Sequence, residues 1–190
     1  MSEAWGGRIA VVRSAILPGD AGLIATIDTS FTTAEVYRVD ISGDAIRLVS
    51  RALEAPITKR FPLDDLENPA RPYDHAWVAM AGARPVGFAA TSFEPWNRRL
   101  VLWHLYVDAS ERKRGIGRRL LECVDAHGIK CGARHLWLET SSLNVPGVAA
   151  YRALGFSLTG VDLTLYDATP AEGESALFFS RPLNQPPLAG

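Results

Sequence analysis

Hydrophobic positions along residues 100–140 follow three successive patterns. Residues 100–107 (LVLWHLYV) are almost continuously apolar, which is typical of a strand covered on both faces. Residues 116–131 carry apolar side chains at helical spacing, and Gly132 is placed to end that helix. Apolar and polar side chains then alternate over residues 134–140, which indicates another strand. Together, the strand, the helix and the second strand predict a βαβ crossover.

Shorter patterns predict further elements on both sides of this unit. Pro146 suits the first turn of a short helix that the Asn144 amide can cap, and Gly155 stands where that helix is expected to end. Nearer the start of the chain, residues 8–17 predict a strand and residues 21–27 a short helix. The remaining strands are predicted in pairs, at 75–80 with 85–93 and at 156–166 with 176–181.

Residues 30–74 give no clear prediction, because they mix Pro, Asp and short apolar runs without a regular period. The predicted core therefore spans about residues 75–181, inside a single domain formed by residues 1–181. Residues 182–190 contain three prolines and end in Gly190, which indicates a mobile tail.

Composition and charge narrow the function classes. The chain has 190 residues, 47% of them apolar, which suits one globular domain and excludes a disordered chain. Twenty basic and 21 acidic residues give a net charge of -1. The overall charge therefore gives no electrostatic reason to expect nucleic acid or an anionic membrane as a partner. No apolar run approaches the ~18 residues of a membrane span, and Arg8 and Arg13 interrupt the region where a signal peptide is apolar. We expect a cytoplasmic protein that binds neither nucleic acid nor membranes.

The cysteines and histidines indicate neither a disulfide nor a metal site. On one helix, Cys123 and Cys131 are about 12 Å apart, beyond the ~7 Å limit for bridging Cα atoms. The four histidines show no zinc-finger spacing and no H-E-x-x-H pair. We therefore expect reduced cysteines and no bound metal.

Basic residues are concentrated in one loop. Five of the 20 basic residues fall in the eight positions 112–119, between the apolar strand and its helix. Gly115 and Gly117 in this loop tolerate unusual dihedral angles and allow a phosphate to approach the backbone at the helix start. The segment matches neither G-x-G-x-x-G nor a phosphate loop with Gly-Lys-Ser/Thr, so another phosphate-bearing ligand is indicated. Alternatively, the glycines only break the chain before a helix whose first turn is basic.

Two motifs in order carry a family resemblance. Arg112, Gly115 and Gly117 meet the pattern of Arg or Gln, two residues, Gly, one residue, then Gly or Ala. Asn144 and residues 150–156 (AYRALGF) follow at the expected separation. The chain from residue 105 to residue 156 thus resembles the GNAT superfamily of acyl-CoA N-acyltransferases. A closer resemblance, to the streptothricin N-acetyltransferase branch, extends over residues 93–99, 138–140 and 160–162, with Asn144 and Tyr166.

This resemblance implies an α/β fold with a mixed, centrally splayed β-sheet and helices on both faces. It also implies acetyl-CoA as cosubstrate, direct transfer of its acetyl group to a primary amine of a small cationic molecule in a ternary complex, and a homodimer. The pyrophosphate is expected at the basic loop, and pantetheine along the end of the preceding strand. The expected cofactor-binding residues are Leu105, Tyr106, Val107, Arg112, Lys113, Arg114, Gly115, Ile116, Gly117, Arg118, Asn144 and Tyr151.

Acyl transfer to an amine needs an acid for the thiolate and a base for the ammonium. Tyr151 is the candidate acid, because a phenol with a pKa near 10 stays protonated at neutral pH; alternatively, it packs the short helix onto the sheet. Glu139 is the candidate base, unless its carboxylate only holds Arg134 or Arg152. His104 is a second candidate base, because imidazole titrates near neutral pH, or else a core residue with a satisfied side chain.

The acceptor is expected to contact carboxylates and ring faces, which suit a cation. The candidates are Glu94, Trp96, His104, Asp162 and Tyr166, with ordinary turn and strand packing as the alternative for each. Two other functions stay open from the sequence. One is acetylation of a peptide or protein, since the acceptor half of this fold varies, and the other is a coenzyme A-binding sensor without turnover.

Overall fold

The computed structural model describes residues 10–183, in which nine strands and three α-helices form. The strands are β1 (Val11–Ser14), β2 (Ser30–Ser42), β3 (Ala45–Arg60), β4 (His75–Ala81), β5 (Arg84–Glu94), β6 (Arg99–Val107), β7 (His135–Ser141), β8 (Ser157–Asp162) and β9 (Ala176–Pro182). The helices are α1 (Ala21–Ile24), α2 (Ile116–Lys130) and α3 (Val145–Ala153). None of the helices in this described part is long and apolar enough to cross a membrane.

Seven strands form the main sheet, in the order β1-β4-β5-β6-β7-β9-β8. Neighbouring strands are antiparallel except β6 and β7, which are parallel and joined through α2, so the predicted βαβ crossover is confirmed. The two parallel strands pair only from Arg99 to Val101 on β6 and from His135 to Trp137 on β7. Beyond these residues the strands separate, which confirms the splayed centre of the sheet.

Both faces of the sheet are covered. Helices α2 and α3 bury Leu120 and Val148 against the sheet on one face, and Gly132, with a φ of 75°, follows the end of α2 as predicted. The second face is covered by α1 and by the segment between β3 and β4, which contribute Ile24 and Leu66 to a separate core. The hydrophobic core therefore draws on residues well before residue 75.

Residues 30–60, for which the sequence gives no prediction, form the long hairpin β2–β3. Its strands have 13 and 16 residues and pair with each other rather than with the main sheet. Much of each strand is exposed, so apolar and polar residues do not alternate regularly. The backbone N–H of Tyr37 donates to the carbonyl of Ser142 at 3.0 Å, which holds the hairpin beside the start of α3.

Several predicted boundaries move. Strand β8 ends at Asp162 rather than at residue 166, because the Asp162 carboxylate accepts the backbone N–H groups of Thr164 and Leu165 and starts a turn. Strand β9 includes Pro182, and the buried Leu183 donates its N–H to the carbonyl of Arg134, so these two residues are not part of a tail. The predictions for residues 1–9 and 184–190 lie outside the described residues. Both cysteines are free.

Strand β6 differs from the prediction that both of its faces are covered. Its pairing with β5 shifts between the pairs Leu102–Thr91 and His104–Ala90, so Trp103 is the extra residue of a β-bulge. The Trp103 side chain is consequently exposed, with its indole N–H donating to Ser92 Oγ at 2.9 Å. Beyond the bulge, β6 forms one wall of a cavity.

Candidate active site

A cavity of about 420 Å³ lies beside the end of β6, between the loop before α2 and the helix α3. Eleven of the twelve residues expected to bind the cofactor line it. They are Leu105, Tyr106, Val107, Arg112, Lys113, Gly115, Ile116, Gly117, Arg118, Asn144 and Tyr151. The structure thus brings together residues that lie up to 46 positions apart in the sequence (105 to 151).

The backbone of the basic loop leaves the start of α2 open toward this cavity. Gly115 is the N-cap residue of α2, with a left-handed φ of 79°, and has no side chain to bind the N–H groups of the first turn. Lys113 also has a positive φ, of 63°. Unsatisfied N–H groups and the positive end of the helix dipole favour an anion here. Arg112, Lys113 and Arg118 add three cationic side chains to the lining.

Arg114 is the one expected cofactor residue that does not line the cavity. Its guanidinium donates to the carboxylate of Glu111 at 3.0 Å, and Arg84 binds the same carboxylate. Arg112 instead stays beside β6, where its Nε donates to the carbonyl of Val107 at 3.2 Å. Arg114 therefore points away from the cavity, whereas Arg112 lies at its edge.

The end of β6 has one free edge. Leu105 pairs with Ala89 and Val107 with Gly87 on β5, whereas the pairing with β7 ends at Val101. The backbone N–H and carbonyl groups that face the separated strand are therefore without a strand partner, although the Val107 carbonyl accepts from Arg112 Nε. An extended ligand with amide groups fits this edge, because it can form the missing ladder of hydrogen bonds.

Asn144 caps α3 as predicted. Its Oδ1 accepts the N–H of Gly147 at 3.1 Å, and its Nδ2 donates to Thr140 Oγ1 at 2.9 Å. A Cβ atom at Gly147 would lie only 2.2 Å from Asn144 Nδ2, so this cap requires glycine there. The cap fixes the direction in which α3 leaves β7, and with it the position of Tyr151 beside the cavity.

Tyr151 and Tyr106 face the cavity from α3 and β6. Burial, with the charge of Glu139 nearby, raises the pKa of Tyr151 to about 12. Burial also raises the pKa of Tyr106, and Tyr151, Asp65 and Glu139 are close enough to add to this effect. Both phenols are therefore neutral proton donors over the whole physiological pH range.

Glu139 lies on β7, outside the cavity lining but within electrostatic range of both tyrosines. The hydroxyl of Tyr166 donates a hydrogen bond to its carboxylate, so its partner is neither Arg134 nor Arg152. Burial raises the pKa of Glu139, although the hydrogen bond from Tyr166 opposes the shift. A carboxylate in this environment accepts a proton more readily than an exposed one.

His104 follows the bulge of β6 and is mostly buried. Its Nε2 lies 2.8 Å from Asp65 Oδ2, and its Nδ1 lies 3.3 Å from the hydroxyl oxygen of Tyr106. The ring of Tyr73 packs edge-on against it, with ring centroids 5.2 Å apart. Burial raises the pKa of Asp65, but the hydrogen bond and charge of His104 outweigh burial, so the pKa is lowered overall.

The other expected acceptor contacts are scattered. Glu94 is the last residue of β5 and Trp96 lies in the turn that follows, at the opposite end of β6 from Leu105, and Trp96 is 84% exposed. The Asp162 carboxylate is occupied by the turn that follows β8. The structure therefore brings only His104 and Tyr166 close to the tyrosines and Glu139.

Sequence reasoning missed the part of the site that comes from the segment without a regular pattern. Phe61 stacks on Tyr106 with ring centroids 5.7 Å apart and on Phe31 at 5.5 Å, and both phenylalanines line the cavity. Asp65, the partner of His104, comes from the same region. Isolated aromatic and acidic residues in a segment without periodicity carry no signal that assigns them to a site.

Two comparisons by sequence agree with this geometry. Residues 45–156 match the acetyltransferase (GNAT) family. A streptothricin acetyltransferase of Streptomyces lavendulae is 41% identical over 172 residues, which cover 87% of this chain and 91% of the relative. A streptothricin acetyltransferase of Escherichia coli is 23% identical, over 88% of this chain and 94% of its own length.

Solved structures share the fold over nearly the whole described chain. The crystal structure of a nourseothricin acetyltransferase has a TM-score of 0.82 and 38% sequence identity, covering 92% of this chain and 99% of the other. A Bacillus anthracis acetyltransferase, solved in complex with acetyl coenzyme A, has a TM-score of 0.76 and 19% identity over 92% of this chain and 99% of its own. The splayed sheet thus belongs to a known architecture.

Proposed function

The chain belongs to the acetyltransferase (GNAT) family, and on this premise we propose that it transfers the acetyl group of acetyl-CoA to a primary amine of streptothricin or a similar cationic small molecule. The observation that carries the proposal is the convergence in one cavity of the basic loop, the free edge of β6 and Tyr151. The 41% identity to a streptothricin acetyltransferase, over most of both chains, supports the acceptor class.

Acetyl-CoA fits this cavity by its chemistry. Its pyrophosphate would bind at the uncapped start of α2, beside Arg112, Lys113 and Arg118. Its pantetheine amides would pair with the free edge of β6 at residues 105–107. This placement would direct the thioester toward Tyr151 and Tyr106, which line the same cavity.

Tyr151 is the proposed acid for the departing sulfur. The acceptor nitrogen attacks the thioester carbonyl, the C–N bond forms, and the carbonyl electron pair moves to oxygen. The oxyanion then re-forms the carbonyl of the amide as the C–S bond breaks, and the C–S electron pair passes to sulfur, which takes the phenolic proton of Tyr151. Because its pKa is raised to about 12, Tyr151 holds that proton until the thiolate forms.

Glu139 is the proposed base for the acceptor. An aliphatic ammonium with a pKa near 10.4 is only about one part in a thousand neutral near pH 7.4, so deprotonation costs roughly 4 kcal/mol. The carboxylate attracts the ammonium by charge and takes one proton from it, directly or through a water molecule. Burial of Glu139 suits both tasks, because it raises the pKa and strengthens the attraction between the charges.

The acceptor would approach from the face of the sheet that carries Glu139, with Tyr166 and His104 as its nearest proposed contacts. Glu94, Trp96 and Asp162 lie outside the cavity, so their proposed contacts require an acceptor that extends beyond it. A molecule with several separated amines meets that requirement, whereas a single short amine does not.

The test measures thiol release from acetyl-CoA with a panel of streptothricin, polyamines, aminoglycosides and peptides. Tyr151→Phe is compared with Tyr37→Phe. Tyr37 lies on the hairpin, where the guanidinium of Arg152 packs over its ring, so this variant makes the same chemical change at another tyrosine. We expect turnover with streptothricin that Tyr151→Phe reduces and Tyr37→Phe leaves unchanged. Turnover with peptides alone contradicts the acceptor class, and acetyl-CoA binding without turnover on any amine supports the sensor.

The family resemblance also leads us to propose a homodimer in the cytoplasm. Sedimentation equilibrium of the purified chain tests the oligomeric state, and fractionation of cells that express it tests the location. A monomer at micromolar concentration contradicts the first proposal.

A further inference from the structure

The stoichiometry of the proposed reaction requires a second proton acceptor. An ammonium acceptor loses two protons before it becomes an amide, one before attack and one from the nitrogen after the C–N bond forms. Glu139 takes only the first of these under the proposed function, on which this inference rests. The second proton needs its own route away from the attacking nitrogen.

A chain of three polar side chains begins at the wall of the cavity. Tyr106 lines the cavity, and its hydroxyl oxygen lies 3.3 Å from His104 Nδ1. His104 Nε2 lies 2.8 Å from Asp65 Oδ2. In the tautomer that carries hydrogen on Nε2, His104 donates to Asp65 and accepts the hydroxyl hydrogen of Tyr106 at Nδ1.

The start of this chain is next to the proposed catalytic groups. Tyr106 is within electrostatic range of Tyr151 and Glu139 as well as of Asp65. His104 and Tyr106 are two residues apart on one strand and therefore point to the same face. That face is the one on which Glu139 lies, because its strand neighbour Leu138 packs into the core on the helical side.

We propose that Tyr106 takes the second proton from the attacking nitrogen while it passes its own hydroxyl proton to His104, which Asp65 holds in the required tautomer and orientation. The nitrogen loses one proton, the phenol is regenerated, and the imidazole becomes an imidazolium beside a carboxylate. Of the two protons that leave the acceptor, one restores Tyr151 after it protonates sulfur, and the other passes to solvent. Tyr106 is then a catalytic residue, and Asp65 is a positioning residue that acts through His104.

The surroundings of His104 support a transient positive charge there. Asp65 faces it from the segment before β4, Tyr73 packs against it from the same segment, and Tyr106 lies beside it on β6. From β5, the apolar ring of Phe88 packs against it with 5.7 Å between centroids, and Ala90 is its strand partner. Asp65 is the single charged group among these described neighbours, and its charge has the sign that stabilises an imidazolium.

The test compares Tyr106→Phe, His104→Gln, Asp65→Asn and the double variant Tyr106→Phe/His104→Gln. The chain offers a matched control in its exposed carboxylate–imidazole pair at the start of β4, where His75 Nδ1 lies 2.9 Å from Asp74 Oδ1. Asp74→Asn and His75→Gln therefore make the same chemical changes away from the cavity. Each protein is assayed with an amine that the wild type acetylates, for kcat and KM at pH 7 and pH 9.5, and for acetyl-CoA affinity by calorimetry.

We expect Tyr106→Phe and His104→Gln each to lower kcat by about 100-fold with acetyl-CoA affinity within about twofold of the wild type, and Tyr106→Phe to leave the acceptor KM within the same range. The double variant should be no slower than either single variant, because the two groups act in series. Asp65→Asn should lower kcat less, and Asp65→Glu should restore part of the loss. The control variants should match the wild type.

The pH dependence separates the two protons. Raising the pH toward the pKa of the amine supplies free amine from solution, so a Glu139→Gln deficit should shrink at pH 9.5. The deficits of the relay variants should persist, because the second proton appears only after attack. Additive losses in the double variant, losses confined to KM, or relay deficits that vanish at pH 9.5 overturn the proposal. A wild type that acetylates no amine overturns the proposed function, and the relay with it.

Discussion

The ammonium of Lys59 lies 2.6 Å from both carboxylate oxygens of Glu174, which joins the end of β3 to the segment just before β9. The same carboxylate accepts the hydroxyl hydrogen of Ser141 at the end of β7. This arrangement fixes the base of the hairpin beside the separated strands, where Phe61 stacks on Tyr106. The pair therefore connects a segment without sequence pattern to the wall of the cavity.

Lys59→Met is expected to destabilise the protein by about 2 kcal/mol, because it leaves a largely buried carboxylate without its partner. The loosened hairpin should also raise KM for acetyl-CoA, since Phe31 and Phe61 line the cavity. Urea unfolding and steady-state kinetics measure the two effects. Lys130→Met, at the exposed end of α2, is the matched control. Equal stability of the two variants would show that the ion pair contributes nothing.

The sequence predicts the half of the site that depends on local patterns. The basic loop, the helix α2 and the cap at Asn144 follow from glycine positions, helical spacing and capping chemistry, each readable within a few residues. Asp65 and Phe61 reach the site only through the tertiary placement of a hairpin whose exposed strands have no regular period. The motif resemblance also gives Trp96 as an acceptor contact. It does not show that the turn before β6 lies at the opposite end of this strand from the cavity.

The two glycines of the basic loop should respond differently to alanine. Gly115 has a φ of 79°, and a Cβ atom at this position would meet nothing within 4 Å, so Gly115→Ala should cost about 1–2 kcal/mol of backbone strain alone. Gly117 has an ordinary φ, and its Cβ would lie 3.7 Å from Val107, an ordinary contact. Gly117→Ala should therefore keep or raise the stability and weaken acetyl-CoA binding instead. Thermal unfolding and calorimetry test both changes, and equal affinity in Gly117→Ala and the wild type contradicts close approach of the pyrophosphate.

Arginines of the basic loop should differ in how much they contribute to acetyl-CoA binding. Arg118→Ala removes a cationic side chain from the cavity lining and should weaken acetyl-CoA binding by about 10-fold, with a reduced dependence on salt. Arg114→Ala should change the affinity by less than about twofold, because Arg114 is held by Glu111 outside the cavity. Calorimetric titrations at two ionic strengths measure both. Equal losses would mean that Arg114 leaves Glu111 when acetyl-CoA binds.

Removal of the Tyr151 hydroxyl should lower kcat/KM by about 100-fold or more with little change in stability, because the ring that packs on Phe156 is retained. An acid must be protonated to act, and its pKa of about 12 keeps the phenol protonated well above pH 10. The wild type should therefore show no loss of kcat from ionisation of Tyr151 up to about pH 10.5. A decline centred near pH 10 would indicate a phenol with an ordinary pKa, and thus another group as the acid.

Tyr166→Phe should move the acid limb of the kcat/KM profile to higher pH. The candidate base Glu139 must be deprotonated to accept a proton, and burial already raises its pKa above the ordinary value of a carboxyl group. The hydrogen bond from Tyr166 stabilises the charged carboxylate and opposes that shift, so its loss raises the pKa further. On acidification, the activity of Tyr166→Phe should begin to fall at a higher pH than the activity of the wild type. At alkaline pH the activity of the variant should recover. Rate profiles from pH 5 to pH 9 measure the displacement. If the acid limb does not move in Tyr166→Phe, a group other than Glu139 titrates there.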